Sequence, residues 1–405
     1  MPLISRFFLV NVMTIATAVL SGCGGPTRPV LTPEQHAERS LADQAASLKT
    51  FEDALDRIFE RINREVERGE PVTLDVLAMS GGGDFGAFGA GVLVGWGKVT
   101  DPAFRRPDFD AVTGVSTGAL LAPFAFLGTD QASETINELY RNPQKDWTRE
   151  RGPLFFLPTN PSFMTLPGLE RDIRKAVNND VIAEMAEASK KGKVLIISAT
   201  DLDLGRQKFW NVGAESEAAV ASGNFDRVQK IMLASAAIPA VFPPVEIDGG
   251  LYADGGVTAN VFVRLDPREP RSLVGRWKAL YPDRPFPRAR YWVIVNNTLV
   301  QEPKTAQPRW PKVIGPSLST SIRSATIAEV RWLTAQADYV NAAWGTNIEV
   351  RMLAIPSDWR APVPGDFQKE SMESLSDLGQ KLGADPQSWK ILVDPTVPAP
   401  NAPGK

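Results

Sequence analysis

Three short stretches hold residues whose types and spacing could do chemistry. Gly114-Val115-Ser116-Thr117-Gly118 sets a serine between glycines, Asp254-Gly255-Gly256 sets a carboxylate ahead of two glycines, and residues 81–89, Gly-Gly-Gly-Asp-Phe-Gly-Ala-Phe-Gly, form a glycine-rich run. A serine hydroxyl is a weak nucleophile until a base takes its proton. The chain has one histidine, His36, in a polar leader well upstream of the serine, where a solvated role is expected. A Ser-His-Asp triad would have to use it, so the base is sought among carboxylates and lysines. Asp254 is the candidate, and a partly desolvated site would raise its pKa and make it a better base. Asp248-Gly249-Gly250 is a near copy six residues earlier. Asp-Gly is a common turn signal, and spacing alone does not choose between the two.

The contexts of the serine and of the glycine run are alike. Phe109–Thr113 reads as a buried strand and a helix is expected from near Ala119, so Ser116 falls on a strand-turn-helix junction. A nucleophile on such a sharp turn needs Gly114 and Gly118 so that strand and helix can approach and leave the hydroxyl exposed. The run at Gly81, Gly82, Gly83 and Gly86 follows the strand Leu74–Met79 and precedes an apolar stretch, Ala90–Trp96, expected to be helical. Its N–H groups and the positive end of the helix suit one anionic point, either a pyrophosphate or a developing oxyanion. The run contains G-x-G-x-x-G, so a dinucleotide site with Asp101 as ribose ligand is a competing reading.

The elements that must position these residues follow from the wider pattern. Of 405 residues, 43% are apolar, enough for a sizeable core. A net charge of -3 with no dominant basic run gives no footprint for nucleic acid. One histidine and one cysteine, Cys23, exclude an intramolecular disulfide and a His- or Cys-rich metal site within the chain. Apolar runs at Leu74–Met79, Phe109–Thr113, Val194–Ala199 and Tyr291–Val295 read as buried strands alternating with helical stretches, which predicts an α/β sheet with covering helices. Ser319–Trp344 and Phe367–Leu382 are expected as helices and Ile348–Ile355 as a strand. Leu41, Leu48, Phe51, Leu55, Ile58 and Ile62 form a helical stripe expected to dock on the domain. The Pro-rich stretch 266–290 is expected as a surface insertion. Apolar runs Leu154–Pro158 and Phe163–Pro167 are candidates for an acyl groove or lid, against plain core packing. Asp201–Gly205 is expected as a strand-end turn, since it lacks the further ligands of a calcium loop.

Together these motifs resemble the patatin-like phospholipase family, over about Leu74–Val261. Residues 107–113, Pro-Asp-Phe-Asp-Ala-Val-Thr, lead into the serine turn, and residues 234–239, Ala-Ser-Ala-Ala-Ile-Pro, with Phe242-Pro243-Pro244 lead into the aspartate. The resemblance implies a three-layer α/β fold with a mostly parallel central sheet, Ser116 as nucleophile, Asp254 as base and the N–H groups of Gly81, Gly82 and Gly83 as oxyanion hole. It selects Asp254 over Asp248 because Asn260 follows the second copy. It implies acyl transfer from lipid esters through an acyl-serine, with no metal or organic cofactor. Ser80 stands where many members have Asp, and Phe85 where many have Arg or Lys, which removes a partner for an anionic head group. A short-chain or lysolipid esterase, and a catalytically silent member of the fold, are the other readings.

The N-terminus resembles a bacterial lipoprotein signal: Arg6, the uncharged stretch Phe7–Leu20, then Leu20-Ser21-Gly22-Cys23. It implies removal of residues 1–22 and diacylation of Cys23, with Gly24 after the cysteine favouring the outer membrane if the envelope is Gram-negative. The expected layout is a signal at 1–22, a linker and amphipathic helix at 23–70, the catalytic region at 74–265, an extension completing the same domain at 266–395 and a loose tail at 396–405. The expected partners are a lipid ester substrate and the membrane.

Overall fold

The computed structural model describes residues 28–69, 72–152, 160–263, 265, 273–301, 303 and 305–391. The expected signal peptide, Cys23, the run Leu154–Pro158 and the tail 396–405 lie outside the described residues. Among the described residues, nine strands form one sheet in the order β11-β10-β9-β1-β2-β5-β8-β7, with β6 pairing β5. The elements run α1 (Pro33–Glu67), β1 (Thr73–Met79), α2 (Gly86–Trp96), β2 (Ala111–Val115), α3 (Thr117–Leu127), α4 (Asp130–Arg141), then a small hairpin of β3 (Arg149–Glu150) and β4 (Met164–Thr165). They continue as α5 (Pro167–Ala176), α6 (Asn179–Lys190), β5 (Val194–Asp201), β6 (Arg206–Asn211), α7 (Val212–Ser222), α8 (Asp226–Ser235), β7 (Val245–Ile247) and β8 (Gly250–Asp254). The last are α9 (Leu273–Leu280), β9 (Arg288–Thr298), α10 (Trp310–Trp344), β10 (Ile348–Ile355), α11 (Lys369–Gly383) and β11 (Lys390–Ile391).

Strands β10, β9, β1, β2 and β5 are parallel. They are buried on both faces, which is why they read as unbroken apolar runs. Alternation still sorts the side chains: Leu77, Met79, Trp292 and Ile294 join the core under α2–α8 and α11, while Val76, Ala78, Val293 and Val295 join the core under α1, α9 and α10. The result is a mixed α/β fold of three layers. In the Pro-rich stretch, α9 buries Trp277 edge-on against Phe59 of α1 at 5.3 Å between ring centroids.

The N-terminal stripe docks over only part of its length. Ala54, Leu55, Ile58, Phe59 and Ile62 are buried, but Leu41 and Leu48 are exposed. The first turns of α1 lie over the β5–β6 hairpin and are held by charge instead, with Arg39 on Asp201 and Asp203 and with Arg206 and Lys208 on Asp43. Asp201 also accepts the N–H groups of Asp203 and Leu204, which makes the expected strand-end turn. Among the described residues no three His, Cys, Asp or Glu side chains gather to hold a metal.

Helix α11 is joined to α2 almost backbone to backbone. A Cβ on Gly91 or Gly95 would overlap the carbonyls of Ser376 and Gln380, and one on Gly379 the carbonyl of Phe88. Since α2 carries the glycine run at its N-terminus, this contact ties the C-terminal region to the site. A Gly379→Ala variant is expected to force the helices apart and lower stability by about 1–3 kcal/mol. Chemical denaturation checks this, and an unchanged midpoint would show that the contact is slack.

Candidate active site

Ser116 lies between β2 and α3 with φ 53° and ψ −125°, a conformation that side chains other than glycine rarely adopt. Such strain costs on the order of 1–3 kcal/mol and persists only where neighbours fix it. The neighbours here are close. A Cβ on Gly114 would overlap the Gly118 carbonyl, and one on Gly118 the Met79 carbonyl of β1. The Ser116 N–H donates to Ser235 Oγ at 2.9 Å, and Ser235 Oγ donates to the Ser198 carbonyl of β5 at 2.6 Å. The turn is therefore pinned to the adjacent strand and to α8.

Asp254 ends β8, where it pairs with Ala199 of β5. Its Oδ2 accepts the Ser116 hydroxyl at 2.5 Å and its Oδ1 accepts the Gly256 N–H at 2.7 Å. Burial pushes the carboxyl up to about 6, opposed by those two hydrogen bonds. A Cβ on Gly255 would press on the Ser198 carbonyl and Val115, so Gly255 lets this corner close on the sheet. The near copy has a different place. Asp248 (φ 51°) and Gly249 (φ 74°) form the two-residue turn of the β7–β8 hairpin, and Asp248 is ion-paired with Arg227. His36 lies in the first turn of α1. Asp101 caps its own turn by accepting the Ala103 N–H.

The glycine run lies against the serine turn, with a Cβ on Gly81 falling 2.9 Å from Ser116 Cβ. The three N–H groups expected to form the oxyanion hole are not equivalent. That of Gly81 is taken by Asn260, through its carbonyl at 3.3 Å and its Oδ1 at 3.1 Å. Those of Gly82 and Gly83 have no hydrogen-bond partner among the described residues. Gly82 packs on the Asn296 carbonyl so closely that no side chain fits, and Gly83 has φ 61°. Gly86 lies against Thr117, whose hydroxyl bonds that of Tyr140.

Sequence reasoning gave no roles to the groups that hold this loop. Ser80, fully buried, accepts the Asn296 N–H at 2.9 Å, and the Asn296 side chain bridges the Ser80 carbonyl and the Gly89 N–H. Asn260 is held by Thr326 of α10 and by Glu329, whose carboxyl accepts the N–H groups of Asn260 and Val261. Burial pushes Glu329 up to about 7. Only tertiary structure brings these distant residues together, and their spacing carries no signal.

Beside Ser116 and Gly83 lies an apolar cavity of about 30 Å³, the share of about one water molecule. Leu120, Leu139, Trp147, Leu169, Ile173 and Phe242 contribute to its walls. The second apolar run, Phe163–Pro167, thus passes through β4 into the lining helix α5. Phe367, from the segment after β10, also lines the cavity; its N–H donates to half-buried Asp84 at 3.1 Å and its φ is 56°. Phe85, at the position of the missing cation, packs edge-on against Trp359 of the same segment at 5.6 Å.

Residues 77–266 match the family model described as patatin-like phospholipase, and the chain carries a domain of that lipid-hydrolase family over this stretch. The comparison with curated proteins gives no match. Among solved structures, the chain is similar to VipD from Legionella pneumophila, with 12% identity and a TM-score of 0.34 over 80% of this chain and 68% of that one. It is also similar to the type III effector protein ExoU, with 13% identity and a TM-score of 0.34 over 78% of this chain and 52% of that one.

A carboxyl near 6 bonded to the Ser116 hydroxyl sets an expected direction of pH dependence. The carboxylate takes a proton only when ionised, so reactivity of Ser116 is expected to fall about tenfold per pH unit below about 6 and to level off above it. The pH profile of covalent labelling by a fluorophosphonate checks this, and a profile flat from pH 5 to 8 would remove Asp254 as the base.

Proposed function

We propose that the patatin-like domain hydrolyses carboxylic ester bonds of phospholipids or related lipids through Ser116 and Asp254. The observation that carries this is the 2.5 Å hydrogen bond from the Ser116 hydroxyl to a buried carboxylate, on a serine held in a strained turn. Asp254 takes the hydroxyl proton as Ser116 Oγ attacks the ester carbonyl. The tetrahedral oxyanion is met by the N–H groups of Gly82 and Gly83, each worth on the order of 3 kcal/mol of barrier. Asp254 returns the proton to the departing alcohol, leaving an acyl-serine. Water then attacks the acyl carbon with Asp254 again as base, releasing the fatty acid and restoring the serine. No step calls for a metal or an organic cofactor.

The apolar cavity gives the acyl chain a place beside the nucleophile. It is narrow, with Phe367 among its walls, so an acyl chain enters as Phe367 and its neighbours give way. With Phe85 engaged by Trp359, no cation from that position meets the head group.

We further propose that the enzyme is a lipoprotein of the bacterial envelope, held to the membrane by lipid on Cys23. The apolar stretch before the only cysteine supports it. Among the described residues no helix is long and apolar enough to cross a membrane. A Cys23→Ala chain is expected to lose its lipid and leave the membrane fraction; equal partitioning of variant and wild type would refute the anchor.

Fluorophosphonate labelling of the full chain tests the dyad. Ser116→Ala is expected to abolish labelling, Asp254→Asn to slow it at least a hundredfold, and Asp248→Asn to leave it unchanged. A folded wild-type chain that never labels would overturn the hydrolase reading in favour of a silent, binding role.

A further inference from the structure

Helix α10 covers the sheet with one face, burying Val330, Leu333, Ala337 and Val340. The opposite face of a surface helix is ordinarily charged, as on α1, where Lys49, Asp53, Glu60 and Arg64 stand in solvent. On α10 it is not. Leu318, Ser321, Ala325, Ala328, Trp332 and Ala335 follow one another at spacings of three and four, all partly or fully exposed, and Ile314 and Tyr339 extend the stripe by one step at either end. Trp332 is 64% exposed, Tyr339 59% and Ile314 42%. Alternate spacings of three and four form the seam of a two-helix coiled coil.

We propose that this stripe is the interface of a homodimer, in which α10 of one copy packs antiparallel against α10 of the other. Parallel, in-register pairing would set Trp332 against Trp332 beside small residues that leave gaps. An antiparallel two-fold centred between Thr326 and Ile327 sets Trp332 opposite Ser321, Leu318 opposite Ala335, Ala325 opposite Ala328 and Ile314 opposite Tyr339. Bulk meets space where Trp332 faces Ser321 and Leu318 faces Ala335, small meets small at the centre and apolar meets apolar at the ends, so the surface is its own complement, as a two-fold interface requires. No charge in the stripe has to be stripped of water. From Ile314 to Tyr339 it runs about 38 Å at ~1.5 Å per residue. One helix wide, such a seam buries roughly 1,000 Å² in a pair, the size at which specific interfaces begin. The buried face of the same helix holds Asn260 through Thr326 and Glu329, so pairing through the exposed stripe leaves those contacts to the site as they are.

Disulfide cross-linking of the full chain in the cells that express it tests this, with the wild-type chain and its single Cys23 as background. A chain carrying both Leu318→Cys and Ala335→Cys is expected to form a covalent dimer. Leu318→Cys alone is expected to remain at background, because the two copies of that position lie far apart in an antiparallel pair. Adding Trp332→Glu is expected to reduce the cross-linked fraction at least tenfold while leaving thermal unfolding and fluorophosphonate labelling as they were. Cross-linking by Leu318→Cys alone would replace the antiparallel seam with a parallel one and overturn the proposal. So would a chain that stays at background with both cysteines, including the case in which Trp332→Glu instead weakens binding to vesicles of phosphatidylethanolamine and phosphatidylglycerol, which would make the stripe a lipid-facing surface.

Discussion

A carboxylate 2.5 Å from a serine hydroxyl, with both side chains almost wholly buried, is the interaction on which the rest of the site depends. In open solvent an aspartate is too weak a base to draw a proton from serine. Burial moves Asp254 to about 6 and so narrows the gap, while the Ser116 hydroxyl and the Gly256 N–H keep the ionised form accessible. Removing the pair from water also removes the means to correct a misplaced atom. The turn that carries Ser116 is therefore fixed from every side, by two glycines that admit the backbones of β1 and α3, by Ser235 through the Ser116 N–H, and by Gly255 at the aspartate's corner.

Much of that fixing comes from outside residues 77–266. Asn296 at the end of β9 holds the glycine loop through Ser80, and Thr326 and Glu329 of α10 hold Asn260, which in turn holds Gly81. Phe367 reaches the cavity from beyond β10, and α11 locks to α2 through glycines on both helices. The reason lies in the sheet. Strand β9 inserts beside β1, so its carboxyl end arrives at the same edge as those of β1 and β2. Ligands of open parallel sheets bind at that edge, outside the carboxyl ends of the strands.

Two details of the site were open to the sequence only in outline. Gly81, Gly82 and Gly83 are equivalent as letters, yet Gly81 spends its N–H on Asn260, while those of the next two have no partner among the described residues. The stripe on α1 reads as one apolar face from Leu41 to Ile62, but the helix passes over a charged hairpin before it reaches the core. Arg39 and Asp43 hold that part where leucines were expected to. In both cases the deciding partner lies more than a hundred residues away in the chain.

The sequence by itself determined the layered α/β architecture, because strands buried on both faces must be apolar throughout and helices between them must carry a stripe. It also determined which residue types could do the chemistry, since a chain with one remote histidine leaves a serine to find its base among carboxylates and lysines. The residues and their spacing left two aspartates open, and tertiary structure shows which of them meets Ser116. Asp248 and Asp254 stand in near-identical motifs, but pairing of β8 with both β7 and β5 turns the first outward to Arg227 as a hairpin turn and brings the second inward to Ser116. Hydrogen-bond register between strands sets direction in space, and no local sequence encodes a register.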